Sequence, residues 1–278
     1  MSDGEILILG AIAGFTIFLG LPIGRMRDPS LALKAFLNAV AVGILLFLFW
    51  DVLAGSFDTV ETALTNASDH GGSWWRFIGL AAVFFVAIAV GLVSLVHYDR
   101  WLSRRRTGAP GAASIDEMSR GPIARLTEPH RLAFFVALGI GFHNFSEGLA
   151  IGQSAAAGEI SLALLLIIGF GLHNATEGFG IVAPMAAEDD RPSWSFLVLL
   201  GLIGGGPTFL GTLIGQSFVN DTVFMACLAL AAGSILYVVI ELLGVARKLG
   251  HKELMTWGIV LGLFAGFATD LILVAAGA

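Results

Sequence analysis

Two stretches of the chain place a histidine and a glutamate four positions apart: HNFSEGLAIG at 143–152 and HNATEGFGIV at 173–182. Positions i and i+4 of a helix lie on one face, one turn apart. His143 therefore points with Glu147, and His173 with Glu177. Asn144 and Asn174 follow the histidines, rotated to the flank of that face. Two such helices packed face to face bring two imidazoles and two carboxylates to one point, a donor set for a divalent transition metal. Imidazole with carboxylate suits zinc, the default, and also iron, manganese, cobalt, nickel or cadmium. Calcium and magnesium prefer all-oxygen sites. The motif offers no thiolate, which argues against copper(I).

Simpler readings exist. A polar residue in a membrane helix often serves as interhelical glue, and a His–Glu pair can be a buried hydrogen bond or a proton relay. The setting favours metal. Each copy lies in an apolar run long enough to cross a bilayer, where ionisable groups are costly and usually functional. Of the histidines at 70, 97, 130, 143, 173 and 251, only those of the two motifs lie deep in such runs. Two carboxylates with neutral imidazoles would cancel the charge of a divalent ion, and a near-neutral loaded site can sit at membrane depth. Empty, two adjacent carboxylates repel, so the site would take up a proton that metal displaces.

The elements that must hold these residues are read from composition. Hydrophobic residues make up 56% of 278 residues and charged residues 13%, with mean hydropathy +0.86. A soluble domain has about 25% charged residues. The fold class is therefore all-α and polytopic, in the lipid bilayer. The lone Cys227 excludes an internal disulfide framework and a cysteine-rich zinc site. The acidic start, MSDGE, lacks the basic region of a cleaved signal peptide, so the first apolar run is expected to be a retained span. Eight spans are predicted, at 5–24, 34–54, 76–97, 131–155, 160–184, 194–217, 222–245 and 255–276. Together they form a single transmembrane domain over 1–278.

Loop charge sets the predicted orientation. Arg25, Arg27, Lys34, Arg100, Arg104, Arg105, Arg106, Arg120, Arg125, Arg131, Arg191, Arg247, Lys248 and Lys252 fall on one side, and Arg76 alone on the other. The positive-inside rule puts the basic side in the cytoplasm and both termini outside. The outer loop 52–75 is acidic, with Asp58, Glu61 and Asp69 beside His70, and reads as a solvated loop that could gather cations weakly. The cytoplasmic loop 98–130 mixes charges with Gly, Pro and Ser and reads as a linker. Its Asp116, Glu117, Glu128 and His130 are weak candidates for receiving metal.

The chain also repeats itself. FLGLPIG at 18–24 returns as FLGTLIG at 209–215, and AVAVGILLFLFWDVL at 39–53 as ALAAGSILYVVIELL at 229–243. A shift of five spans reverses direction across the membrane, so these are inverted repeats in a 3+2+3 arrangement, with the motif spans at the centre. Inverted repeats with a midplane site are the pattern of secondary transporters. The repeat pairs Asp51 with Glu241, acids predicted at opposite mouths of one pathway. Asp270, in the last span, has no basic partner within it and is a further pathway candidate.

These residues resemble the ZIP family (Zrt/Irt-like proteins), bacterial type. The likeness covers the whole chain and rests on the two His–Asn–x–Ser/Thr–Glu–Gly motifs. It implies transport of zinc or a similar divalent metal into the cytoplasm of a bacterium across its inner membrane. The resemblance also implies an elevator-type alternating-access motion of the central spans against a scaffold that forms a homodimer. His143, Glu147, His173 and Glu177 would then form the main site, with Asn144 and Asn174 beside a second one. The metal would be transported substrate, with no catalytic cofactor and no nucleic-acid partner. The sequence departs from the family pattern at Ser146, Thr176, Gly206 and the stretch 43–47. Ser146 and Thr176 stand where many members have Pro, and both can bond back to the helix. Gly206 stands before Pro207 where many members have Glu, so one metal is expected rather than two. The stretch from Gly43 to Phe47 is apolar where some members draw another ligand.

The principal competing function is an intramembrane metal-dependent hydrolase, with a metal-bound water and an acid–base carboxylate. No HExxH or nucleophile signature accompanies the motifs, and two like motifs on inverted helices suit a symmetric passage better. A metal sensor would need a larger signalling segment than 98–130. An ATP-driven pump would need a phosphate loop, which the sequence lacks.

Overall fold

The computed structural model describes residues 2–26, 30–106, 126–158, 160–185, 191–217 and 220–276. Within them the chain is helical. Helix α1 is Asp3–Phe15, continued by 3-10 turns at Thr16–Leu19 and Leu21–Arg25. Then follow α2 Leu31–Asp69, α3 Trp74–Arg106, α4 Glu128–Ala156 and α5 Ile160–Val182. The last three are α6 Trp194–Gly215, α7 Asp221–Leu249 and α8 Lys252–Ala276. These eight helices stand where eight spans are predicted. Among the described residues seven regions are long and apolar enough to cross a membrane. Helix α5 is not among those seven; it is 23 residues long.

Local signals fix the helix ends. Ser2, Ser30, Thr127, Ser193 and Asn220 each accept a hydrogen bond from a backbone N–H of the first turn of the helix that follows. Between α7 and α8 the chain reverses at Gly250 and His251, both at positive φ, where glycine is unstrained.

Three loop readings are corrected. The segment 52–75 is not a loop: α2 runs on to Asp69. No Gly or Pro interrupts it between Ser56 and Asp69, and Val60, Ala63 and Ala67 recur at helical spacing to bury one stripe. That stripe packs with Leu80 and Phe84 of α3 and Met225 of α7. The linker is shorter than expected at both ends, because α3 runs on to Arg106 and α4 begins at Glu128 behind its Thr127 cap. Asp116 and Glu117 lie outside the described residues. Arg131, predicted at a loop edge, lies inside α4 and is buried.

The packing follows the repeat. Helix α2 packs on α8 as α7 packs on α3, and α4 packs on α6 as α5 packs on α1 and its 3-10 turns. The pairs α1–α6, α2–α7 and α4–α5 map onto themselves. Glycines show the same correspondence. A Cβ on Gly43 of α2 would strike the carbonyl of Ile259, and one on Gly233 of α7 would strike that of Ile88. Gly43 and Gly233 are matched positions of the repeat. Close approach of this kind is how helices associate in lipid, where apolar burial gives little net drive.

Two groups of helices result. One joins α1, α4, α5 and α6; the other joins α2, α3, α7 and α8. Within each, backbone meets backbone at glycine, as where Gly148 of α4 faces Thr208 of α6 and Gly211 of α6 faces Phe145 of α4. Between the groups run α4–α7, α2–α5 and α5–α8. Arg25, Arg131 and Lys248 mark one end of the bundle, called here the basic end. The α2–α3 turn marks the opposite end.

Gly43→Val and Gly233→Val should each lower stability by roughly 1–3 kcal/mol, the usual cost of overpacking. Gly79→Ala, where a Cβ meets nothing within 4 Å, should leave it unchanged or raise it. Thermal unfolding of the detergent-solubilised protein checks both; equal melting temperatures for all three would contradict the packing described.

Candidate metal site

The site is built where α4 and α5 face each other inside the first helix group. The His143 and Glu147 side chains meet one turn apart, Nε2 to Oε1 at 3.1 Å. Glu177 comes from α5 to the same imidazole, with its Oε1 3.8 Å from His143 Nε2. All three are buried: His143 is 3% exposed, Glu147 5% and Glu177 0%. One imidazole nitrogen thus faces two carboxylates in an apolar interior. Among the described residues no group of three His, Cys, Asp or Glu side chains is placed to hold a metal ion; the trio is joined by His–carboxylate contacts instead. The side chain of His173 lies outside the described residues.

The two asparagines fix the frame around these groups. Asn144 Nδ2 donates to Glu177 Oε2 at 3.1 Å and to the carbonyl of Gly204 at 3.0 Å. It therefore ties α4, α5 and α6 together and orients the Glu177 carboxylate. Asn174 Nδ2 donates to the carbonyl of Ala13 at 3.1 Å, which fastens α5 to α1. The Oδ1 atoms of both asparagines and Oε2 of Glu147 are buried with no hydrogen-bond partner among the described residues. Buried polar atoms of this kind call for a ligand, ion or water. Ser146 Oγ donates back to the Phe142 carbonyl at 3.4 Å, the back-bonding expected of its hydroxyl. At Gly206 a Cβ would meet nothing within 4 Å. Space for a larger residue is present there; a carboxylate is not.

The predicted pathway residues separate into two places. Asp51 and Asp270 line one cavity of about 280 Å³ together with His143, Ser146 and Glu147. Phe47 of α2 and Phe170 of α5 line it as well. This cavity lies toward the opposite end of the bundle and reaches the motif. Glu241 is not part of it. Glu241 lines a second cavity of about 270 Å³ at the basic end, with Glu128, Arg131, Tyr237 and Lys248. The two cavities share no residue.

Two features were not singled out from sequence. Asn38 of α2 is buried and donates to the Leu242 carbonyl of α7 at 3.1 Å. A lone Asn in an apolar run was the available signal. Phe135 of α4 and Tyr237 of α7 pack edge to face, ring centroids 6.1 Å apart; nothing in their spacing marks them among the many apolar residues.

Comparison with known proteins agrees with the motif. Residues 102–273 match the ZIP zinc transporter family. The zinc transporter ZupT of Lysinibacillus sphaericus is 30% identical over 286 residues, spanning 98% of this chain and 99% of its own. That of Corynebacterium glutamicum is 30% identical over 94% of this chain and 97% of its own. That of Streptococcus mutans is 28% identical over 96% of each. With matches of this extent and a motif built as described, the chain belongs to the ZIP family of zinc transporters.

Proposed function

We propose that this protein carries a divalent transition metal, zinc by default, across a bacterial inner membrane into the cytoplasm, through a site made by His143, Glu147, His173 and Glu177. The family is one of transporters, which sets aside the hydrolase. The observation that carries the reading is the convergence of His143, Glu147 and Glu177, from two helices, at the end of a cavity that also holds Asp51 and Asp270. Two carboxylates and neutral imidazoles neutralise a divalent ion, so the loaded site can lie in an apolar bundle. Metal here is cargo, and one ion is expected.

In this reading the basic end is cytoplasmic and both termini are outside. Asp51 and Asp270 form the entry, and Glu241 stands at the exit. Asn144 is a positioning residue: it holds Glu177 at the angle the ion needs. The motion is an elevator, in which α1, α4, α5 and α6 slide as one body against α2, α3, α7 and α8. Support comes from where the glycines lie. Backbone-to-backbone contacts knit each group internally. At the α4–α7 interface between groups the approach is looser: a Cβ on Gly139 would meet Ser234 no closer than 3.3 Å, whereas one on Gly43, Gly148, Gly211 or Gly233 would strike backbone well inside that distance.

The decisive test is metal influx into proteoliposomes with an indicator inside. Saturable zinc or cadmium influx is expected for the native chain, with none for calcium, and Glu177→Ala should abolish it. No influx from an oriented preparation that still binds metal would sink the proposal.

Two further outcomes follow from the same geometry. Asn144→Ala should raise the half-saturating zinc concentration by roughly 10–100-fold, the usual cost of losing a group that orients a ligand. Asp51→Asn and Asp270→Asn should raise it less, and their effect should shrink as salt is added, because exposed charges are screened. Uptake against zinc concentration at two ionic strengths distinguishes the classes.

A further inference from the structure

Between the two cavities lies a short apolar stretch. On α4 it runs from His143 through Ile140 and Val136 to Phe135, all buried. Eight residues of helix span about 12 Å. Across it, on α7, Tyr237 is buried at 4% exposure, and Phe135 at 1%. Their rings meet edge to face at 71°. One ring belongs to each helix group. Both also line the cavity at the basic end, as its inner wall. Between the His143–Glu147–Glu177 site and the cavity at the basic end stand Ile140, Val136 and, last before that cavity, this ring pair.

The repeat adds a second, independent observation. Tyr237 is matched by Phe47, 190 positions earlier in AVAVGILLFLFWDVL. Phe47 sits at the opposite end and lines the cavity that reaches the motif. Its ring packs on Phe267 of its own helix group, centroids 4.9 Å apart. So one aromatic of the matched pair is closed across the two groups. The other meets a ring of its own group and lines the cavity that reaches the motif.

We propose that Phe135 and Tyr237 form the gate that closes the exit of the transport pathway, and that Phe47 is its repeat-related counterpart at the entry. This rests on the transport reading above and adds which residues seal the path. A slide of one helix group against the other separates Phe135 from Tyr237 without unfolding either helix, and at the α4–α7 crossing a Cβ on Gly139 would meet Ser234 no closer than 3.3 Å. A T-shaped ring pair suits such a seal because its apolar faces exclude water.

The test uses the full chain in liposomes, with Cys227→Ser to remove the native thiol. Phe135→Cys and Tyr237→Cys are introduced together and bridged with a short, cleavable bis-methanethiosulfonate. Bridging should cut zinc uptake at least tenfold, and a reductant should restore it. Undiminished uptake by the bridged protein would overturn the gate. Uptake by the unbridged Cys227→Ser parent separates this from the transport reading: if the parent carries no zinc, that reading has failed on its own. Labelling gives an arm independent of uptake. Ala150→Cys, in the wall of the opposite cavity, is exposed to an impermeant maleimide added from the basic end. Labelling should rise severalfold when Phe135→Ala and Tyr237→Ala are added, and stay low with Tyr237→Phe, which keeps the ring. Equal labelling in all three would also overturn the proposal.

Discussion

Two carboxylates buried in an apolar bundle are the constraint on which the structure turns. Glu147 and Glu177 have almost no exposure, and a bare charge in such a place costs several kcal/mol. Each must be answered by something. His143 answers both from one nitrogen, and Asn144 answers the second oxygen of Glu177. What is left over is a pocket of acceptor oxygens and one imidazole, with Glu147 Oε2 unbonded among the described residues. In the proposed reading a divalent cation meets that demand. The same demand explains why the surrounding helices are tied so firmly: a carboxylate set that moved by even an ångström would lose the geometry that makes its burial tolerable.

That firmness comes from glycine and asparagine rather than from large side chains. Gly148 and Gly211 bring α4 and α6 to backbone contact around the motif, and Asn144 and Asn174 stitch α4 and α5 to α6 and α1. The other group is knit in the same way at Gly43, Gly91, Gly233 and Gly262. Rigid groups joined by a softer interface are what a sliding mechanism needs, because the site must travel without being reshaped. The small residues therefore do two things at once. They drive association in lipid, where apolar surface gives no advantage, and in the proposed reading they leave relative motion to the looser interface between the groups.

Much of this was legible in the sequence. The eight helices followed from apolar runs, the motif from i, i+4 spacing, and the inverted repeat from two short matches. Gly43 and Gly233, paired only as letters, turn out to make equivalent contacts on α8 and α3. What was not legible has physical reasons. The helical extension of α2 to Asp69 was hidden by polar composition, because only a narrow stripe of Val60, Ala63 and Ala67 is buried there. The bond from Asn174 to Ala13 spans 161 positions, and no local pattern announces a contact of that range. Phe135 and Tyr237 are ordinary apolar letters until the packing sets them opposite each other.

The repeat makes the two ends alike in fold, and the sequence then makes them unlike in charge. The cavity that reaches the motif carries Asp51, Asp270 and Glu147, with His143 but no Lys or Arg among the described residues of its lining. The cavity at the basic end carries Glu128 and Glu241, balanced by Arg131 and Lys248. A cation is therefore drawn to the first cavity and held only weakly by the second. In the proposed reading a symmetric machine with such an unsymmetric field favours capture at one end and release at the other, without any change in the site itself. In the proposed reading, direction comes from the metal gradient, and these charges set how readily each end exchanges its ion. Acids at the entry raise the local concentration of metal, and the balanced pocket at the exit keeps the ion from lingering once the aromatic pair has parted.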